Sequence, residues 1–167
     1  MSYQEHKKKA PQSVNCAVLT ISDSRTERDD ESGKLIKQKL TENGHRVISY
    51  SILKNDKDSI ENEIHELVRQ KELQVIITSG GTGASHRDIT VETISMILEK
   101  KLDGFGELFR FLSYQEIGTS SIMSRAVAGV AGGKVILCLP GSSGAANLAM
   151  DKIILPEIGH MVREATR

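Results

Sequence analysis

The chain has 167 residues, enough for one domain with a self-sufficient core, whereas two domains of half that length would each be marginally stable. Its 22 Lys and Arg residues balance its 22 Asp and Glu residues, and aromatic residues make up only 4%. Such a composition lacks the positive field and stacking surfaces of nucleic-acid binders. No run is apolar over a membrane span, and the N-terminus is too polar for a secretory signal, so we expect a cytoplasmic protein with no membrane or nucleic-acid partner.

The N-terminal residues differ in pattern from the rest of the chain. Residues 1–12 show no apolar period and include the basic run 7–9, which predicts a flexible segment. Residues 13–167 contain no repeat, low-complexity tract or linker, so we expect them to form a single domain.

The first half of this domain alternates between strand and helix patterns. The apolar, β-branched run 14–21 predicts a buried strand, and residues 45–53 a second one. Leucines and isoleucines at helical spacing predict helices from Ser32 to about residue 43 and over 59–71. A short apolar strand over 74–78 then ends abruptly at a glycine-rich turn.

The second half continues the alternation. It predicts a helix from Thr90, a helix over 104–116, a buried strand over 134–139, a small-residue helix from Ser142 or Ser143, and a final helix with Pro156 in its first turn. Residues 126–130 could pair with the last strand through a turn at Gly132 and Gly133. The alternation predicts an α/β fold with a mainly parallel sheet and helices on both faces.

Ligands of open parallel sheets bind beyond the carboxyl ends of the strands. Three polar loops, residues 22–32, 79–88 and 140–144, should meet there. In the second loop, the three glycines of the Gly80-Gly81-Thr82-Gly83 turn allow positive φ and a close approach of backbone amides to an anion. This pattern favours a phosphate site, although such a turn can also be purely structural.

Other chemistries fit the residues less well. His86 stands where a dinucleotide-binding fingerprint needs its third glycine, and residues 129–135 have the wrong spacing for a P-loop. Cys16 and Cys138 lie within predicted strands, which is typical of small buried residues and not of a disulfide, a catalytic thiol or a zinc site.

Asp88 follows the glycine turn by five residues. A carboxylate beside phosphate oxygens is a common way to hold Mg²⁺. Asp88 or Thr90 could instead cap the following helix. Asp23 and Asp56, which each follow a strand, are open to the same two interpretations.

Five motifs in order resemble the MoaB/Mog family of molybdenum cofactor biosynthesis proteins, and the MoaB branch most closely. They are Thr78 to Gly83, Arg87 to Thr90, Gly104 to Glu107, Ser124-Arg125, and Leu139 to Ser142. The resemblance covers the chain from Val14 onward and implies a three-layer α/β/α sandwich that assembles as a homo-oligomer, a trimer or a hexamer. It also implies Mg²⁺-dependent adenylylation of molybdopterin by ATP, with release of pyrophosphate.

The resemblance also implies roles for the candidate residues. Phosphate and pterin binding falls to Ser22, Asp23, Gly80, Gly81, Thr82, Gly83, Gly141, Ser142 and Ser143. Asp88 becomes the favoured catalytic and metal-binding carboxylate, with Asp56 as the second. Adenylylating relatives carry an acidic residue after the second strand, but here alignment places Asn55 at that position unless it shifts by one residue to Asp56.

Two functions are therefore expected from the sequence. The first is a molybdopterin adenylyltransferase that uses ATP and Mg²⁺. The second is a non-catalytic molybdopterin-binding or scaffolding oligomer that works with other molybdenum cofactor biosynthesis proteins.

Overall fold

Strands and helices alternate through residues 7–167, the part of the chain that this computed structural model describes. The strands are β1 (Asn15–Ile21), β2 (Arg46–Leu53), β3 (Val75–Ser79), β4 (Lys100–Lys101), β5 (Val127–Ala131) and β6 (Lys134–Leu139). The main helices are α1 (Glu31–Glu42), α2 (Lys57–Arg69), α3 (Thr90–Ile97), α4 (Asp103–Ile117), α5 (Ser143–Ala149) and α6 (Leu155–Ala165). A 3₁₀ turn (Gly118–Met123) follows α4, and a π turn (Met150–Ile154) joins α5 to α6.

These elements form one six-stranded sheet in the order β2-β1-β3-β6-β5-β4. The pairs β1–β2, β1–β3 and β3–β6 are parallel, and β5 is antiparallel to both of its neighbours. The chain moves from β1 to β2 on one side and then returns to place β3 on the other side of β1. The sheet therefore has a topological switch point between β1 and β3.

Alternate residues of the central strands face two separate cores. On one face, Val18, Ile77 and Leu137 pack with α1, α4, α5 and α6. On the other face, adjacent residues of the same strands, such as Leu19 and Ile136, pack with α2 and α3. Because both faces of the sheet are covered, these strands are nearly continuous apolar runs. The predicted three-layer α/β/α sandwich with a mainly parallel sheet is confirmed.

The predicted elements are present, with bounds within two residues of the expected ones. The hairpin between β5 and β6 is also confirmed: Ala131 pairs with Lys134, and Gly132 and Gly133 between them have φ values of +54° and +72°. Two positive φ angles give the turn the twist that a two-residue hairpin requires. The sequence patterns missed β4 and the 3₁₀ turn, which are too short to show a period.

The segment predicted to be flexible, residues 1–12, lies partly outside the described residues. From Lys7 onward its neighbours are known: Lys7 Nζ lies 2.6 Å from Glu157 Oε1 on α6. A Cβ on Gly159 would stand 2.3 Å from the Pro11 carbonyl oxygen, so this segment runs against α6. Within residues 7–167 we find no helix with the length and apolar character that crossing a bilayer requires.

Ile136 provides a test of the packing between the sheet and α2 and α3, because its side chain is fully buried. We expect Ile136→Val to lower the free energy of unfolding by about 1 kcal/mol and Ile136→Ala by about 3 kcal/mol, since the larger deletion leaves a cavity. Urea denaturation of both variants measures the two values. Equal small losses would show that this layer is not tightly packed.

Candidate functional site

The loops after β1, β3 and β6 enclose a cleft of about 370 Å³ at the carboxyl edge of the sheet. The cleft opens beside the switch point, where neighbouring loops diverge and ligands of such folds bind. Its lining consists of Thr20, Ile21, Ser22, Arg25, Ser32, Ser79, Gly80, Gly81, Thr82, Gly83, Asp88, Gly141 and Ser142. The three loops that the sequence indicated therefore do meet.

The Ser79 hydroxyl joins these loops at the end of β3. Its Oγ lies 3.2 Å from Ser32 Oγ, at the start of α1, and 3.2 Å from the Pro140 carbonyl oxygen, after β6. Because Ser79 is buried, these bonds are shielded from water and fix the loops relative to one another.

Gly80 passes through a space that no side chain could occupy. Its φ is +106°, and a Cβ would stand 2.3 Å from the Ile21 carbonyl oxygen. Its N–H donates to the Leu139 carbonyl oxygen at 3.0 Å and is thus used by the protein itself. Gly80 shapes the cleft, but its amide is not available to an anion in this geometry.

Gly81 has a φ of +65° and faces two side chains. A Cβ there would stand 2.2 Å from Thr90 Oγ1 and 2.7 Å from Asn55 Oδ1. The Gly81 carbonyl accepts a hydrogen bond from the Thr90 N–H at 3.0 Å, which fixes the peptide. The turn is therefore held open by its glycines and directs its main chain into the cleft.

The Asp88 carboxylate lies beside this turn. Its Oδ2 accepts hydrogen bonds from the Ser85 hydroxyl (2.6 Å) and the Ser85 N–H (3.1 Å), and a Cβ on Gly83 would stand 2.6 Å from it. The Ser85 hydroxyl is the main cause of a lowered pKa of Asp88, and the charge of Arg125 contributes to it. Asp88 is therefore ionised at neutral pH.

The structure separates the two interpretations of the acidic residues. Helix α3 begins after Ile89 without a side-chain cap, so the capping interpretation is wrong for Asp88 and Thr90. It applies to Asp56, whose carboxylate accepts from the Ser59 N–H at 3.0 Å and caps α2. Asp56 is exposed and does not line the cleft, because the capping geometry directs its carboxylate to α2.

Asn55, and not Asp56, lies against the glycine turn. Its Nδ2 donates to the Arg87 carbonyl, its backbone N–H donates to Asp23 Oδ1 at 2.9 Å, and its Oδ1 faces Gly81. A carboxylate could not donate to the Arg87 carbonyl, so an amide suits this position. Asp23 thus supports the neighbouring loop and lies outside the cleft lining.

The loop after β6 contributes Gly141 and Ser142. A Cβ on Gly141 would stand 3.1 Å from the Gly80 Cα, so these loops are in contact. The Ser142 hydroxyl accepts from the Ala145 N–H at 3.2 Å and caps α5. Ser143, also predicted to bind ligand, lies in the first turn of α5 and outside the lining.

Sequence reasoning missed a buried carboxylate behind the cleft. Asp30 caps α1 and accepts hydrogen bonds from Thr20 Oγ1 (2.6 Å), Tyr50 Oη (2.6 Å), the Gly33 N–H (2.9 Å) and Ser32 Oγ (3.3 Å). Burial alone would raise the pKa of Asp30, but these bonds together lower it below its ordinary value.

Arg25, a cation that lines the cleft, was also missed from the sequence, because the residues after β1 showed only a polar break.

Arg125 fixes the far side of the turn. Its Nη1 donates to the Gly83 carbonyl at 2.8 Å, and its Nη2 pairs with Glu92 on α3. The sequence had shown Arg125 only as part of a motif. Within residues 7–167, no three His, Cys, Asp or Glu side chains form a group that could hold a metal ion.

Gly81→Ala tests the turn. Left-handed backbone costs an L-residue about 1 to 2 kcal/mol, and the new methyl would also contact Thr90 and Asn55, so we expect a loss of at least about 1 kcal/mol in the free energy of unfolding. Gly144→Ala is the matched control, because a Cβ there meets nothing within 4 Å. Urea denaturation compares the two; equal stabilities would contradict the described turn.

Asp30→Asn tests the buried carboxylate, and we expect a loss of roughly 2 kcal/mol at pH 7. Because the folded-state pKa of Asp30 is lowered, its contribution is present above the unfolded pKa and is lost as the pH falls through the folded value. The gap between wild type and variant should therefore shrink on acidification. Tyr50→Phe, which keeps the carboxylate, should cost less; a gap that does not change with pH would refute the charged network.

Comparisons with known proteins identify the family to which the chain is similar. The family model described as "Probable molybdopterin binding domain" matches residues 17–160. Molybdenum cofactor biosynthesis protein B of Bacillus cereus is 50% identical over 168 residues, covering 100% of this chain and 99% of that protein.

Solved structures agree as well. A crystal structure of molybdenum cofactor biosynthesis protein B has a TM-score of 0.91 and 49% identity over 94% of this chain and 98% of that chain. The tungsten cofactor synthesizing protein MoaB from Pyrococcus furiosus has a TM-score of 0.86 and 35% identity over 95% of this chain and 100% of that chain. The chain therefore belongs to the MoaB/Mog family of molybdenum cofactor biosynthesis proteins.

Proposed function

We propose that this protein acts in molybdenum cofactor biosynthesis as an Mg²⁺-dependent molybdopterin adenylyltransferase. The observation that carries the proposal is the meeting of the glycine turn and the ionised Asp88 in one cleft at the switch point of the sheet. Membership of the MoaB/Mog family supports the pathway, and the cleft supports an anionic ligand.

In the proposed reaction, an oxygen of the terminal phosphate of molybdopterin forms a bond to the α-phosphorus of ATP. The bond from that phosphorus to the oxygen bridging to the β-phosphate breaks, and pyrophosphate leaves with its electron pair. No covalent intermediate with the protein is needed. The protein aligns two anionic groups and stabilises the charge that develops between them.

We assign the anion contacts to the amides of Gly81 and Thr82, with Ser22, Gly141 and Ser142 completing the walls. Gly80 contributes space and not its N–H, which donates to Leu139. Gly83 has no side chain, which leaves room for the Asp88 carboxylate beside it. The Gly83 carbonyl accepts a hydrogen bond from Arg125. Such fixed main-chain donors need no reorganisation when charge develops.

Asp88 is the residue that would hold Mg²⁺. Mg²⁺ takes one or two protein carboxylates and fills its other positions with substrate phosphates and water, so a single ionised carboxylate beside a phosphate site fits it. When bound, the ion would neutralise phosphate charge. We do not include Asp56, because its carboxylate caps α2.

One observation favours the alternative function, a non-catalytic molybdopterin-binding or scaffolding oligomer. Where adenylylating relatives carry an acidic residue, the amide of Asn55 donates to the Arg87 carbonyl and faces Gly81. The cleft then has Asp88 as its single carboxylate. A site of this kind could bind the pterin phosphate without consuming ATP.

An apolar strip supports a homo-oligomer, as a trimer or hexamer, in either case. Helix α4 and the 3₁₀ turn after it expose large apolar side chains: Leu108, Phe111, Tyr114, Ile117, Ile122 and Met123. Contiguous apolar surface of this kind is typical of subunit contacts. We propose that copies of the chain pack here and that the oligomer works with the other proteins of the pathway.

The test of catalysis is to incubate the protein with molybdopterin, Mg²⁺ and labelled ATP and to measure adenylylated pterin. Asp88→Asn should lower the rate on the order of a hundredfold, because it removes a fixed charge at the reacting phosphates. Asp56→Asn is the matched control: Asn caps a helix as well as Asp, so fold and rate should be retained.

One outcome would decide between the functions, and another would overturn the role of Asp88. If stoichiometric wild-type protein binds molybdopterin and yields no adenylylated product, the enzyme proposal is wrong and the binding function stands. If Asp88→Asn transfers adenylate at the wild-type rate, the role assigned to Asp88 is wrong.

A further inference from the structure

We propose that Arg25 forms a second anion subsite in the cleft, which binds a phosphate group of the substrate, and that Asp30 is the residue that positions it. This proposal rests on the proposed function. It adds Arg25 as a ligand contact to the glycine turn and Asp88. Among the described residues that line the cleft, Arg25 carries the only positive charge and Asp88 the only negative one.

The position of Arg25 suits a ligand contact. Its backbone N–H donates to Ser22 Oγ at 3.1 Å, which holds the loop after β1 in a turn, and both residues line the cleft. Its guanidinium Nη1 lies 3.8 Å from Asp30 Oδ1, beyond hydrogen-bond distance, and 37% of the side chain remains exposed. The charge of Asp30 therefore orients the guanidinium group without engaging its five N–H donors in hydrogen bonds. The geometry of these donors matches that of phosphate oxygens.

Asp30 explains why a cation is needed at this point. Its ionised carboxylate lies behind the wall formed by Thr20 and Ser32, both of which donate hydrogen bonds to it and line the cleft. A buried negative charge so close to the cleft would repel an anionic substrate, because it is poorly screened by water. Arg25, which also lines the cleft, places a positive charge 3.8 Å from Asp30 and offsets that repulsion.

The chemistry identifies the ligand group as a phosphate or diphosphate. A partly exposed guanidinium binds a multiply charged oxyanion better than a neutral ring, and the glycine turn already offers the first anion site in the same cleft. Two phosphate sources fit the proposed reaction: the diphosphate part of ATP and the terminal phosphate of molybdopterin. Separate binding measurements with MgATP, pyrophosphate and molybdopterin distinguish the two sources.

The test compares full-length wild type, Arg25→Gln, Arg25→Lys and Arg28→Gln. Arg28 is the matched control, since it is an exposed arginine of the same loop and does not line the cleft. We expect Arg25→Gln to weaken binding of pyrophosphate or MgATP about tenfold or more and Arg25→Lys to weaken it less, because lysine keeps the charge without the fork. Arg28→Gln should bind as wild type does.

Salt dependence separates a ligand contact from a structural effect. An ionic contact weakens as salt is added, so the affinity of Arg25→Gln should depend less steeply on salt than that of wild type, whereas loss of structure would leave the slope unchanged. Asp30→Asn keeps Arg25 but removes the charge that positions it. We expect this variant to weaken phosphate binding less than Arg25→Gln does. Thermal unfolding of each variant checks that it is folded.

The outcomes also distinguish the two proposals and the two phosphate sources. A loss of MgATP and pyrophosphate affinity with unchanged molybdopterin affinity places the nucleotide phosphates at Arg25, and the reverse pattern places the pterin phosphate there. If Arg25→Gln binds all three probes as tightly as Arg28→Gln does, the subsite does not exist. Binding that depends on Arg25 in a protein without adenylyl transfer would support the subsite and refute the enzyme.

Discussion

The close approach of Gly80 to the ends of three strands is the constraint on which this site depends. Its N–H donates to the carbonyl oxygen of Leu139 at the end of β6, and its missing Cβ lets it pass the carbonyl oxygen of Ile21 at the end of β1. The turn from Gly81 to Gly83 is therefore tied to the sheet on both sides. Any side chain at Gly80 would push the loops apart and open the cleft, because the nearest atoms belong to the backbone and cannot rotate away.

Charge is distributed around the cleft in an ordered way. Asp30 is buried and held by four donors, Arg25 faces it from the cleft, and Asp88 lies by the glycine turn. A single ligand with several negative charges could contact Arg25 and the main-chain donors while a divalent cation balances Asp88. In the proposed function, local charges of this kind would guide an anionic ligand, because the chain as a whole carries no net charge.

The fold could be predicted from the sequence because the apolar patterns of its strands and helices are local and recur along the chain. Apolar runs with both faces buried specified β1, β3 and β6, and the helical spacing of residues such as Ile60 and Ile64 specified α2. The glycine turn, Asp88 and the loop at Ser142 could also be predicted from the sequence. Each follows a strand whose end must lie at the ligand-binding edge of the sheet. The MoaB/Mog family was recognised from the order of five motifs.

Other features of the site could not be predicted, because they depend on contacts between distant segments. Asp56 and Asn55 are adjacent, and only the start of α2 decides that Asp56 turns to cap the helix while Asn55 faces Gly81. The network of Asp30 joins Thr20, Ser32 and Tyr50 from three elements. The use of the Gly80 amide by Leu139 likewise appears only once β3 and β6 are paired.

The two-residue strand β4 has a consequence for how copies of the protein can associate. It ends the sheet at Lys100 and Lys101, which are both exposed. Continuing the ladder on this side with another chain would force two ammonium groups out of water for only a few new main-chain bonds. Lateral growth into fibrous aggregates is thus discouraged at this border of the sheet.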